Sequence, residues 1–184
     1  MKIIETSIPD VKIIEPRVFE DSRGYFFESF NQLKFNEAVG PIQFVQDNES
    51  LSVFGTLRGI HFQKEPFAQD KLVRVIEGRV WDVAVDLRKT SPSYRHWVGV
   101  ELTGEGKQQL FIPRGFGHGF LVLSQKALFG YKVSSPYSPD HDAGICYNDP
   151  EIAISWPLSS AEYIISDKDQ NLKPLSAYLN QNDH

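Results

Sequence analysis

The chain has 184 residues, 41% hydrophobic and 23% charged, a balance that supports one sizeable core and excludes global disorder. Nineteen Lys and Arg against 24 Asp and Glu give a net charge of −5, which excludes a basic coat for nucleic acid but leaves room for a local pocket that takes a phosphorylated small molecule. Cys146 is the only cysteine, so neither an intrachain disulfide nor a multi-cysteine zinc cluster can form.

Met1–Asp10 carries Glu5, Pro9 and Asp10 where a secretory leader needs an unbroken apolar stretch. No run approaches the roughly 18 apolar residues of a membrane span. A cytoplasmic protein without a membrane segment is expected. Most of the chain reads as short strands punctuated by Gly, Pro, Asn and Asp. In order they are Val11–Phe19, Tyr25–Phe30, Ile42–Asn48, Leu57–Gln63, Leu72–Ile76, Val80–Leu87, Trp97–Leu102, Gln108–Ile112, Gly119–Leu123 and Ala127–Ser134. One short helix is predicted near Asn31–Ala38, opened by an Asn cap and closed by Gly40-Pro41. Glu77-Gly78 reads as a hairpin turn. From Ser155 onward the pattern is mixed and predicts a small helical or irregular cap. Strands at this spacing predict an all-β jelly-roll sandwich or barrel with few short helices, as one domain over residues 1–184.

Alternation along these strands puts polar residues on apolar faces. In Val80–Leu87 the odd positions make one strongly apolar face, with Asp82 and Asp86 on the other. Lys71 is in phase with Val73 and Val75, so it is either a strand-end lysine reaching for water or an inward, functional one. Tyr131 shares parity with Ala127, Phe129 and Val133, which fits a core tyrosine or a phenol in a site. Glu28 is in phase with Phe26 and Phe30, and an unpaired inward carboxylate is costly. Gln46 and Asn48 continue the face of Ile42 and Phe44, so that face turns polar towards its end, like the mouth of a ligand cavity. His61 and Gln63 share a face with Arg58 on the other, and a bulge at Gly59 would bring both to one site.

Gly55–Gln63 and Pro113–His118 resemble the two motifs of the cupin superfamily. Metal-binding cupins place two His and a Glu in the first motif and a His in the second. Here Gln63 stands at the second His, and Phe67 and Ala68 stand where the Glu belongs. His61 and His118 alone make a poor transition-metal site, so the cupin-type fold is expected without a metal.

Longer blocks carry a closer resemblance. Phe19–Glu28, Phe44–Asn48, Leu57–Gln63, Lys71–Arg74, Val80–Arg88, Ile112–Val122 and Ser166–Asp169 followed by Leu172–Leu175 resemble the dTDP-4-dehydrorhamnose 3,5-epimerases along nearly the whole chain. The resemblance implies a homodimer without cofactor; sheet extension through the Arg23–Phe30 strand, with N-terminal strands exchanged between subunits, is the expected way to form it. The resemblance also implies a dTDP-4-dehydro-6-deoxy-D-glucose substrate inverted at C3 and C5. Carried over by position, His61 is implied as the base, Asp169 as its partner, Tyr131 as the acid and Lys71 as the group facing the C4 oxygen. Arg23, Glu28, Gln46, Asn48, Arg58, His118 and Lys168 are implied as nucleotide- or sugar-binding. Asp142 stands where a ligand-contacting Glu is expected, one methylene shorter, and Asp167 is a rival to Asp169 as the histidine partner.

These residue types suit the implied chemistry. Imidazole titrates near neutral pH and serves as a base, a lysine stabilises a developing oxyanion, and a phenol delivers a proton from the opposite face. Arginine forks suit a diphosphate. No glycine-rich dinucleotide loop is present. Two other classes share these features in part: a sibling enzyme inverting one centre or shifting the ketone, and a sugar-nucleotide-binding cupin without catalysis. Simple binding requires no acid–base pair, which weighs against the second.

Overall fold

The computed structural model describes residues 1–182. Thirteen strands form: β1 (Lys2–Glu5), β2 (Lys12–Glu15), β3 (Val18–Asp21), β4 (Gly24–Phe27), β5 (Gln46–Val53), β6 (Leu57–Gln63), β7 (Lys71–Glu77), β8 (Arg79–Asp86), β9 (Trp97–Thr103), β10 (Gln109–Ile112), β11 (Phe116–Val122), β12 (Lys126–Val133) and β13 (Asp142–Gly144). Helices α1 (Gln32–Ala38), α2 (Asp167–Gln170) and α3 (Leu175–Asn182) are short. One antiparallel sheet runs β1-β2-β10-β7-β12-β5 and a second runs β13-β6-β11-β8-β9, while β3 and β4 pair only with each other. This is the expected cupin-type jelly roll.

Between the sheets lies a core built from alternate residues of facing strands. It contains Val73 and Val75 of β7, Val80 and Ala84 of β8, Leu110 and Ile112 of β10, Phe120 and Val122 of β11, and Ala127 and Phe129 of β12. Each fully buried side chain of this size contributes about 1.5–3 kcal/mol. Helix α1 begins as predicted, with the Asn31 side chain accepting from the Leu33 and Lys34 N–H groups. Its Phe35 packs edge-on against Phe44 and Phe111.

Several expectations are corrected. The predicted strand Val11–Phe19 divides into β2 and β3 at Pro16, which cannot donate to a ladder. The strand predicted over Ile42–Asn48 starts later, at Gln46, because Ile42 and Phe44 pack instead beside α1. Glu77-Gly78 is no hairpin: β7 and β8 lie in different sheets, and the chain crosses between them at Gly78. There φ is +86°, and a Cβ would stand 2.1 Å from the Lys126 carbonyl oxygen. Strand β8 has two buried faces rather than one. Its even positions Val80, Asp82 and Ala84 are buried on the barrel side, while Val83 and Val85 pack under the C-terminal segment with Ile152 and Leu175. The C-terminal segment caps this outer face, anchored by Asp149, which accepts from the N–H groups of Glu151, Ile152 and Leu175.

Asp86 closes β8 as a buried hub. It accepts from Arg88 Nε at 2.9 Å, Ser91 Oγ at 2.6 Å and Ser93 Oγ at 2.7 Å. Burial raises its pKa, but these donors, led by the Arg88 guanidinium, outweigh burial and hold it at about 2. A depressed carboxylate pKa stabilises the fold above the unfolded value near 3.8, and that contribution disappears as pH falls towards 2. Asp86→Ala is therefore expected to cost about 2–4 kcal/mol at neutral pH. In urea titrations the gap from the parent protein should narrow at pH 3.

Candidate active site

Five strands and α2 enclose a cavity of about 310 Å³ between the sheets. Into it β6 brings Arg58 and His61, β7 brings Lys71, β11 brings His118, β12 brings Tyr131, and α2 brings Lys168 and Asp169. Comparable depressions on the outer side of the six-stranded sheet and beneath β3–β4 contain no histidine.

Arg58 and His61 share the cavity because β6 bulges. His118 pairs with His61 and Phe120 with Arg58, so β6 takes three steps where β11 takes two. The extra residue falls at Gly59-Ile60, as the glycine suggested. Gly59 has φ +115°, and a Cβ there would lie 2.6 Å from Gly119 Cα. Two facing glycines thus let the strands approach closely enough for the face to switch.

His61 Nε2 lies 2.9 Å from Asp169 Oδ1, and Asp169 Oδ2 accepts from the Gly59 N–H at 3.3 Å. Burial raises the Asp169 pKa, but His61, the Gly59 N–H and the Lys168 charge together outweigh it and hold the carboxyl below its usual value. Asp169 is 4% exposed, whereas Asp167 faces solvent. With Nε2 on the carboxylate, His61 Nδ1 is buried and has no hydrogen-bond partner.

Lys71 points inward, its Nζ 3.5 Å from the His61 carbonyl oxygen. Burial pushes its pKa down to about 8, against the opposing charges of Asp82 and Asp142. Burial likewise raises the Tyr131 pKa, with Asp142 adding and Arg58 opposing, so the phenol stays protonated at neutral pH. Arg58 Nε donates to Ser52 Oγ at 3.2 Å on the cavity wall.

At the rim, Gln46 Nε2 donates to Asn48 Oδ1 at 2.8 Å, and Gln46 Oε1 accepts from the Tyr137 N–H. Asp142 on β13 pairs with the Lys168 ammonium and lies 3.4 Å from the Tyr137 hydroxyl. Asp142 is therefore tied to Lys168. Two residues fall elsewhere. Arg23 lies on the β3–β4 turn, paired with Asp21, and Glu28 is exposed and paired with Lys34 at 3.0 Å. The expectation of an inward Glu28 is corrected: β4 ends at Phe27, and alternation lapses before Glu28.

Sequence reading missed Asp82 and Tyr137. Asp82, 3.0 Å from His118 Nε2, interrupts the even, barrel-facing positions of β8, and that interruption was its signal. Tyr137 left none, because it sits in a loop without periodicity.

Gln63 does not face the cavity. Its Nε2 donates to the Phe67 and Pro136 carbonyls, and its Oε1 accepts from the Ser138 N–H. His61 and His118 each face a carboxylate through Nε2. Among the described residues no three His, Cys, Asp or Glu side chains gather as metal ligands. The donor set does not fit the metal that related jelly rolls carry.

A family model described as dTDP-4-dehydrorhamnose 3,5-epimerase matches residues 5–177. The chain belongs to the dTDP-4-dehydrorhamnose 3,5-epimerase family. The member from Escherichia coli K12 is 56% identical over 180 residues, covering 97% of both chains. The member from Methanothermobacter thermautotrophicus is 53% identical, covering 95% of this chain and 94% of its own. A crystal structure of the Legionella pneumophila epimerase in complex with dTDP-4-keto-L-rhamnose superposes with a TM-score of 0.92. That protein is 48% identical, with 95% of this chain and 93% of the other covered.

The bulge gives a direct test. Gly59→Ala must place a methyl against the backbone of β11 in a φ region that L-residues avoid. The expected loss is about 3 kcal/mol or more of stability, against about 1–2 kcal/mol for Gly24→Ala, where φ is +128° but no neighbour lies within 4 Å, so that the difference isolates the clash with β11; thermal melts of both variants measure it.

Proposed function

We propose that the protein inverts C3 and C5 of dTDP-4-dehydro-6-deoxy-D-glucose to give dTDP-4-dehydro-L-rhamnose. The observation that carries the reading is the convergence of His61–Asp169, Lys71 and Tyr131 from four separate elements on one cavity. His61 takes the proton from the carbon beside the C4 ketone, and the electron pair moves to the C4 oxygen. Lys71 donates to that oxygen as it becomes an enolate. When the carbonyl re-forms, Tyr131 gives its proton to the carbon from the opposite face. The imidazolium and phenolate then exchange a proton through solvent, restoring both groups for the second centre. Asp169 orients the ring and favours its cationic form. Among the nearby groups, Arg58 and Lys168 supply positive charge for the diphosphate, and Gln46, Asn48, His118 and Asp142 line the approach as polar partners for the nucleotide and sugar.

Arg23 and Glu28 enter this reading through a dimer of single-domain subunits. The β3–β4 hairpin joins neither large sheet, and it exposes Phe19, Tyr25 and Phe26, the last 71% exposed. Strand β5 is an unpaired edge. A hairpin docked on a neighbouring subunit covers these rings and brings Arg23 and Glu28 to the neighbour's cavity. Light scattering should give twice the chain mass, and Phe26→Asp should yield monomers with lowered activity. A fully active monomer would refute this arrangement.

Chemistry is tested in deuterated water with the keto sugar nucleotide. His61→Asn should lower turnover by about 10²-fold or more with a small change in KM. Tyr131→Phe should still exchange substrate hydrogen for deuterium but form little inverted product, with C5 most affected. Near-parental turnover in His61→Asn, or normal inversion in Tyr131→Phe, would overturn the assignments. Label at one carbon only in the parent's product would assign it to the single-centre epimerases.

A further inference from the structure

Two imidazoles face the cavity side by side, His61 on β6 and His118 on β11, paired directly in register. Each leans through Nε2 on a carboxylate from another element. For His61 that carboxylate is Asp169, which the proposed mechanism uses. For His118 it is Asp82 of β8, whose two oxygens lie 3.1 and 3.0 Å from His118 Nε2. Asp82 is 0% exposed and is flanked on its strand face by Val80 and Ala84, both in the central core. A carboxylate in such surroundings is costly unless donors and opposite charge compensate it. His118 supplies the donor, and Lys71, also buried and lining the cavity beside His118, supplies the opposite charge.

We propose that Asp82 is a positioning residue for the oxyanion side of the site: it fixes His118 through Nε2 and keeps the Lys71 ammonium charged where the C4 oxygen must be stabilised. The chemical consequence rests on the epimerase reading; the electrostatic relation does not. Lys71 is surrounded by groups from every neighbouring element. Arg58 and His61 of β6, Tyr131 of β12 and Lys168 of α2 line the cavity with it. Of the anions, Asp169 is engaged with His61, Asp142 with Lys168, and Glu49 stands exposed at the edge of β5. Asp82 is the anion buried on the core side with His118 as its hydrogen-bond partner. Its charge, ahead of that of Asp142, opposes the burial that lowers the Lys71 pKa to about 8.

Asp82→Asn preserves the shape and an acceptor for His118 but removes the charge. The Lys71 side chain is followed by carbon-13 NMR in the ligand-free protein, its signal assigned by loss in Lys71→Arg, and kcat and KM are measured against pH. Lys71 should titrate about one unit or more lower in Asp82→Asn than in the parent. The alkaline limb of kcat should move towards acid by a similar amount. At neutral pH a one-unit fall from about 8 takes away roughly half of the charged Lys71, so kcat should fall about twofold, with KM within about threefold. A merely structural Asp82 would lower the melting temperature and leave the Lys71 titration and the shape of the pH profile unmoved. A folded variant with an unshifted Lys71 overturns the proposal. Should Asp82→Asn fail to fold, Asp82→Ser, which also removes the charge, decides by the same titration: a downward shift of Lys71 supports the proposal, and an unshifted Lys71 overturns it. A parent protein inactive on the keto sugar nucleotide would sink the epimerase reading, while the ligand-free titration would still decide whether Asp82 holds the Lys71 charge.

Discussion

The candidate site depends on one carboxylate. Asp169 meets His61 through one oxygen and the Gly59 N–H through the other, so it grips a side chain and the bulge that aims that side chain. Without the bulge, Arg58 and His61 would point to opposite sides of β6. Without Asp169, the imidazole would lose its orienting partner and the Gly59 N–H its acceptor. The interaction also joins distant parts of the chain, since Gly59 belongs to the second sheet and Asp169 to the terminal cap. Local geometry, ring orientation and the docking of the cap are thus coupled through a single side chain.

The barrel is otherwise built to tolerate polar groups inside an apolar wall. Phe120 and Phe129 stack at 4.3 Å between centroids beneath His118, while Val73 and Val75 continue the β7 face that begins with Lys71. The apolar residues hold the sheets together at the lower end, and the same alternation delivers Lys71, Tyr131 and Ser50 at the upper end. A short sequence distance therefore separates residues that stabilise from residues that act. Low polarity below the cavity also explains why Lys71 and Tyr131 have displaced pKa values in opposite directions: burial disfavours the cation of one and the anion of the other.

Much of this was legible in the sequence. Alternation located β6 residue for residue and most of β7, β9, β10 and β12, and it put Lys71 and Tyr131 in phase with apolar neighbours, leaving open whether Lys71 turned back to water. Gly59 was readable as a bulge because a glycine inside a strand pattern has few other uses. What alternation could not supply was the identity of the partner sheet. The β7–β8 crossing looks like a hairpin locally, and only packing places the two strands in different sheets. The same blindness hid Asp82: beside the apolar odd face of β8, an even face carrying Asp82 and Asp86 reads as solvent-facing, and only packing turns it inward. Glu28 was misjudged for the opposite reason: its strand ends at Phe27, so its parity carried no information.

The order of the elements along the chain has a consequence for biogenesis. The five strands that wall the cavity are complete by Val133, where β12 ends, but α2 closes it only with Asp169, 36 positions later, on a cap held down by Asp149 and Leu175. As the polypeptide leaves the ribosome, the barrel strands emerge before the carboxylate that His61 requires. The protein thus acquires its shape first and its chemical competence last, when the final segment seats against the outer face of β8.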